Sequence, residues 1–76
     1  MEEMLRTLVK GLVSNPDKIE INTKVEENVT TLELRVAPED MGRVIGRQGK
    51  IAKAIRTLMK AYSVKNNERI NIEIVD

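Results

Sequence analysis

The 76-residue chain contains no histidine and no cysteine. That inventory removes imidazole acid–base chemistry, thiolate nucleophiles and soft-ligand zinc sites. The two serines, Ser14 and Ser63, have no base partner to activate them. Twelve acids are present, but they form no recognisable spaced pair of the kind carboxylate catalysis needs. The residues therefore argue against an enzyme, and no cofactor or metal is expected. The promising stretch is Val44-Ile45-Gly46-Arg47-Gln48-Gly49-Lys50-Ile51. Two glycines bracket two long polar residues, and a lysine follows at once. Glycine allows unusual dihedrals and close backbone approach, while Arg47 and Lys50 supply positive charge at the same place. This combination suits an anion held against the backbone.

The charge distribution points the same way. Net charge is +1, yet residues 41–67 carry seven basic residues and no acid: Arg43, Arg47, Lys50, Lys53, Arg56, Lys60 and Lys65. The remainder has six basic and twelve acidic residues, so +7 in one block faces −6 elsewhere. Such segregation favours an anionic polymer at the central block.

Amphipathic segments must position this stretch. Residues 1–14 read as a helix with Met4, Leu5, Leu8, Val9 and Leu12 on one side, stopped by Ser14-Asn15-Pro16-Asp17. Residues 18–26 alternate, with Ile19, Ile21, Thr23 and Val25 on one face, and 30–36 alternate likewise after a turn at 27–29. This is a hairpin with a greasy face and a polar, charged one. A helix starts at Pro38 and Gly46 ends it; Lys50 to Tyr62 form the next, with Ile51, Ala54, Ile55, Leu58, Met59 and Tyr62 inward. Residues 63–69 read as a polar loop and 70–75 as the last strand, giving the order helix, strand, strand, helix, helix, strand. The Gly42-x-x-x-Gly46 spacing suggests close helix packing.

In that context the loop reads as an anion cradle. The second helix begins at it, directing free N–H groups and the positive dipole end there, so amides around Gln48 to Ile51 are candidate donors to phosphate oxygens. A mononucleotide site is disfavoured, because the Walker spacing and a preceding strand are missing. Tyr62 is the sole aromatic residue, which fits poorly with modules that stack bases on a sheet.

The stretch 44–52 resembles the KH-domain signature, a VIGxxGxxI core whose GxxG loop clamps the backbone of about four nucleotides. Val44, Ile45, Gly46 and Gly49 match in place; the final aliphatic position falls on Ala52, with Ile51 one residue early. The element order is similar to the type II, bacterial arrangement. Residues 36–42, Val36-Ala37-Pro38-Glu39-Asp40-Met41-Gly42, add a likeness to the small stand-alone KH RNA-binding proteins of bacteria. The resemblance covers the whole chain.

It implies an α+β fold: one type II KH domain, α-β-β-α-α-β, with a three-stranded mixed sheet and three helices on one face. It implies single-stranded RNA in a narrow groove, clamped by Gly46, Arg47, Gln48 and Gly49. Arg43, Lys50 and Lys53 would neutralise neighbouring phosphates. Val44, Ile45 and Ala52 would divide between core and groove floor. Residues 63–69 match the variable loop, where Lys65, Asn66, Asn67 and Arg69 would reach bases or backbone. It further implies a homodimer, or pairing with a larger Jag-type KH protein, and a cytoplasmic role in post-transcriptional control linked to cell elongation and division. Single-stranded DNA is the alternative ligand. No apolar run approaches the ~20 residues of a membrane span, and the acidic N-terminus is unlike a signal peptide.

Overall fold

The computed structural model describes residues 2–65 and 69–75, with Lys65 described by its backbone alone. Helix α1 spans Glu2–Lys10 and buries Leu5 and Val9 completely. It ends four residues short of the expected Ser14. Gly11 follows it, and the chain turns there, with Leu12 N–H donating to Val9 O at 2.8 Å. Glycine has little preference for continuing a helix, and the turn still lets Leu12 and Val13 pack against the core. A short 3-10 turn at Pro16–Lys18 then leads into the sheet.

Strands β1 (Glu20–Glu26) and β2 (Val29–Arg35) form an antiparallel hairpin. Its connection is two residues long: Glu27 and Asn28 have φ of 47° and 69°, the paired left-handed conformation that matches strand twist. Val29, expected in the turn, instead pairs with Glu26. Strand β3 (Arg69–Ile74) lies parallel to β2, giving the order β1-β2-β3. The parallel step requires a crossover, which is made by α2 (Met41–Ile45) and α3 (Lys50–Lys65). A 3-10 turn at Pro38–Asp40 precedes α2. The mixed three-stranded sheet with helices on one face is the expected type II KH arrangement.

The core lies between sheet and helices. Leu32, Leu34, Ile70 and Ile72 alternate with exposed or half-exposed polar residues, so one face of β2 and β3 is buried. Edge strand β1 departs from its pattern. Ile19 just before it is buried and Ile21 half-buried, but Val25 is 68% exposed. Val25 lines an open depression with Thr23, Thr30 and Leu32 of the hairpin and Glu2 and Glu3 of α1.

Two expectations for α3 are corrected. It continues past Tyr62 to Lys65, and Ser63 is buried there with its hydroxyl donating to Lys60 O at 2.8 Å. Its inward stripe is Ala52, Ile55, Met59 and Ser63, flanked by half-buried Ile51 and Tyr62; Ala54 and Leu58 face outward. The inward positions follow the three- and four-residue spacing of one helical face, centred on the Ala52 side.

Candidate nucleic-acid interface

The turn between α2 and α3 is built from three unusual backbone positions. Gly46 adopts φ 77°, ψ 174°, a conformation open in practice to glycine alone. Its amide donates to Gly42 O at 2.8 Å, closing α2. A Cβ at Gly46 would collide with the Ile51 side chain and come within 2.9 Å of Ile51 N. The first glycine therefore lets the turn pack down onto the start of α3. Gln48 takes a left-handed conformation, φ 57°, ψ 26°, which sequence gave no reason to expect. Gly49 has φ +74°, and a Cβ there would meet nothing within 4 Å. The glycines thus differ: one fits a tight internal contact, the other leaves open surface.

Two of the candidate amide donors are engaged inside the turn. Gly49 N–H donates to Gly46 O at 3.2 Å, and Lys50 N–H donates to Arg47 O. Open surface and exposed side chains are therefore the turn's main offering to an anion. Arg47, Gln48, Lys50 and Lys53 are all exposed. None of these cations has an ion pair with another described residue; the pairs Lys24–Glu33 and Arg35–Glu20 lie on the far face of the sheet. Gly42 does not pack closely as its spacing suggested. It is exposed, and a Cβ there would touch nothing within 4 Å.

Arg43 is exposed but anchored, donating from Nη1 to Ser14 Oγ at 2.7 Å. Asp40, 1% exposed, fixes that neighbourhood. Its Oδ1 accepts from Ser14 N–H at 3.0 Å; Oδ2 accepts from Asn15 N–H at 3.0 Å and Asn15 Nδ2 at 3.2 Å. The Ser14 N–H, with the Asn15 donors and the Arg43 charge, holds this carboxyl below the usual carboxylate range, against the upward push of burial. Sequence reading missed Asp40 and Ser14 as partners of Arg43. The available signal was an acid three residues before Arg43, at the border of the acid-free block.

Of the signature aliphatics, Val44 and Ala52 are buried in the core, whereas Ile45 is 38% exposed. Ile45 is the one of the three at the surface. The distal candidates fall elsewhere. Arg69 opens β3 rather than closing a loop, and it lines the depression on the sheet's open face with Glu33 and Glu73. It pairs in register with Val29, at the hairpin end of the sheet, while α2 follows the other end of β2. The 16 residues of α3 place its two ends about 24 Å apart, so Arg69 is not brought to the Gly46–Gly49 turn. Asn66, Asn67 and the side chain of Lys65 lie outside the described residues.

Fold order, parallel crossover and the Gly46–Gly49 turn between two helices together define a KH domain of type II. Residues 2–74 match the family described as KhpA/KhpB, KH domain. The chain is 52% identical to RNA-binding protein KhpA of Clostridium acetobutylicum, over 99% of this chain and 100% of that one. It is 51% identical to its counterpart in Caldanaerobacter subterraneus, with the same coverage, and 47% to that of Listeria monocytogenes over the full length of both. The chain belongs to the KhpA/KhpB KH-domain family. A crystal structure of Era from Aquifex aeolicus shares the fold, with TM-score 0.60 and 20% identity over 95% of this chain. This chain spans 28% of the Era chain.

Among the described residues, no helix is long and apolar enough to cross a membrane, and no group of three or more acids is placed to hold a metal.

Proposed function

We propose that this protein binds single-stranded RNA without catalysing a reaction, gripping the phosphate backbone at Gly46, Arg47, Gln48 and Gly49. The observation that carries this reading is the turn itself: a glycine-specific conformation at Gly46, open surface over Gly49, and three cations alongside that have no ion pair among the described residues. Membership in a family whose curated relatives are RNA-binding proteins supports it. Arg47, Lys50, Lys53 and Arg43 contact phosphates, and exposed Ile45 offers an apolar surface to a sugar or base. Phosphate contacts fix position and carry little sequence information, so intrinsic specificity is low. With three to four phosphates neutralised, log K falls against log salt with a slope of roughly −2 to −3.

The test is the double substitution Arg47→Asp with Gln48→Asp. Both side chains are exposed, so the circular dichroism spectrum stays that of the wild type while affinity for a labelled RNA oligomer is lost. A folded double variant with unchanged affinity would refute the clamp. A DNA oligomer of matched sequence, used as competitor, reports whether the 2′-hydroxyl matters; equal competition would mean that single-stranded DNA is also a ligand.

A second role rests on α3. Ala54, Leu58 and Ala61 are exposed at three- and four-residue spacing, forming an apolar side of the helix away from the core. This favours self-association or pairing with a larger Jag-type KH protein, which would raise the affinity of one small domain through effective concentration. In the cell the reading places the protein in the cytoplasm, in post-transcriptional control tied to elongation and division. Sedimentation of the wild type and Leu58→Lys tests the surface: a wild-type monomer at all concentrations would refute self-association.

A further inference from the structure

We infer that Ser14 is a positioning residue that presents Arg43 to a phosphate, so that the nucleic-acid path continues from the Gly46–Gly49 turn back along α2. The inference rests on the RNA-binding reading above. It starts from a closed loop of contacts. Asp40 lies immediately before α2 and Arg43 within it, three residues apart. Asp40 holds the Ser14–Asn15 segment through both backbone amides and the Asn15 side chain. Ser14 Oγ, placed by that segment, accepts from Arg43 Nη1 at 2.7 Å. The same short stretch of chain thus carries both the arginine and the anchor for the hydroxyl that holds it.

The segment at 14–15 is already tied to Asp40 by three bonds that do not involve Arg43. The fourth bond therefore acts chiefly on Arg43, restricting a long and otherwise mobile side chain. A guanidinium has five N–H donors, and the serine occupies one nitrogen's contact, leaving donors for a phosphate fork. Arg43 remains exposed, and among the described residues it makes no contact ion pair, the buried Asp40 carboxylate being near enough to feel its charge but not bonded to it. A side chain already ordered loses less rotamer freedom on binding, which raises affinity without a new contact.

Ser14→Ala isolates this effect, because the three Asp40 bonds use the backbone amides of 14 and 15 and the Asn15 side chain, none of them the serine hydroxyl, and survive. A labelled single-stranded RNA oligomer, titrated across a salt series, is the probe, with thermal melting as the control for folding. Ser14→Ala is expected to weaken binding by about two- to tenfold with the salt slope retained, since the charge is still present. Arg43→Ala weakens it further and makes the slope shallower by about 0.7. Ser14→Ala in the Arg43→Ala background changes nothing more, and Ser14→Thr restores wild-type affinity. Wild-type affinity in Ser14→Ala, or the same loss with Arg43 already removed, would overturn the inference. The Arg47→Asp, Gln48→Asp variant runs alongside. If it still binds with wild-type affinity, the clamp reading fails; if it is silent while Ser14→Ala binds normally, this inference alone fails.

Discussion

Replacing Gly46 by alanine, compared with the same change at Gly49, separates the two glycines by what surrounds them. At Gly46 the dihedrals of 77° and 174° lie where a Cβ is strained, at a cost of order 1–3 kcal/mol. The added methyl would also meet Ile51, whose backbone N lies 2.9 Å from the new carbon, and that atom is fixed in the first turn of α3. Overpacking of this kind costs a further ~1–3 kcal/mol. The sum, ~2–6 kcal/mol, is a large share of the ~4–11 kcal/mol expected for a domain this size. At about 4–8 °C per kcal/mol, the melting temperature falls by at least ~8 °C. Gly49 has a left-handed φ of +74° but open space, so alanine there costs the conformational term alone, ~1–2 kcal/mol. Thermal denaturation followed by circular dichroism should order the proteins wild type, Gly49→Ala, Gly46→Ala. Under the proposed function, Gly49→Ala also loses RNA affinity at temperatures where it is fully folded. Equal melting temperatures for Gly46→Ala and the wild type would refute the assignment of Gly46 to the Ile51 contact.

Asp40→Asn tests the buried carboxylate. Its folded-state pKa is lowered, so its contribution is present above the unfolded value near 3.9 and is lost as pH falls through the folded value. Urea denaturation should find the variant less stable at pH 7, with the gap narrowing below about pH 4; a gap independent of pH would contradict the assignment. On α3, Met59→Ala removes a fully buried side chain and should cost ~2–5 kcal/mol, whereas Leu58→Ala, at a 52% exposed position, should cost under ~1 kcal/mol. The same denaturation series reads both, and a Leu58 effect as large as that of Met59 would contradict the helix's orientation.

The fold was legible where periodicity and punctuation agree. Alternating residues in β2 and β3, Pro38 before α2 and the glycines before α3 were enough for element order, and the family resemblance supplied the sheet's mixed character. The misreadings have local causes. Leu12 and Val13 continue an apolar pattern, but they pack from a turn after Gly11, and periodicity does not distinguish a helix from a turn that buries the same side chains. Ala54 and Leu58 looked inward because alanine and leucine suit either face of a helix; the inward centre was set by Ala52 and Ser63, small residues that hydropathy underrates. At the site, Gly46 to Gly49 stood out through type, spacing, the surrounding positive block and the family signature, and they lie in one turn between α2 and α3. The left-handed conformation of Gln48 was not legible, since nothing in its chemistry requires it. The Asp40–Ser14–Arg43 contacts join residues 26 and 29 apart, and no local pattern encodes such a pairing.

Net charge misdescribes how a polyanion meets this molecule. The seven cations of residues 41–67 belong to α2, the turn and α3, while the opposite, open face of the sheet carries Glu20, Glu26, Glu33 and Glu73 against Lys24, Arg35 and Arg69, a small acidic excess. The molecule's shorter extents are 21 and 18 Å. At physiological salt the Debye length is ~8 Å, so a phosphate approaching α3 is screened from the acids on the far face and responds to the local positive block. At about 0.01 M salt the Debye length reaches ~30 Å, longer than either dimension, and the distant acids are then felt as well. Attraction should therefore rise less steeply on dilution than counterion release alone dictates. A plot of log K against log salt should run straight near physiological salt and bend toward a shallower slope below roughly 0.03 M. Removing far-face acids, by Glu33→Gln with Glu73→Gln, should straighten the plot while leaving affinity near physiological salt unchanged. A loss of curvature confined to that variant would show that the two faces are electrostatically separate at working salt. An equal gain in affinity at every salt concentration would show that they are not.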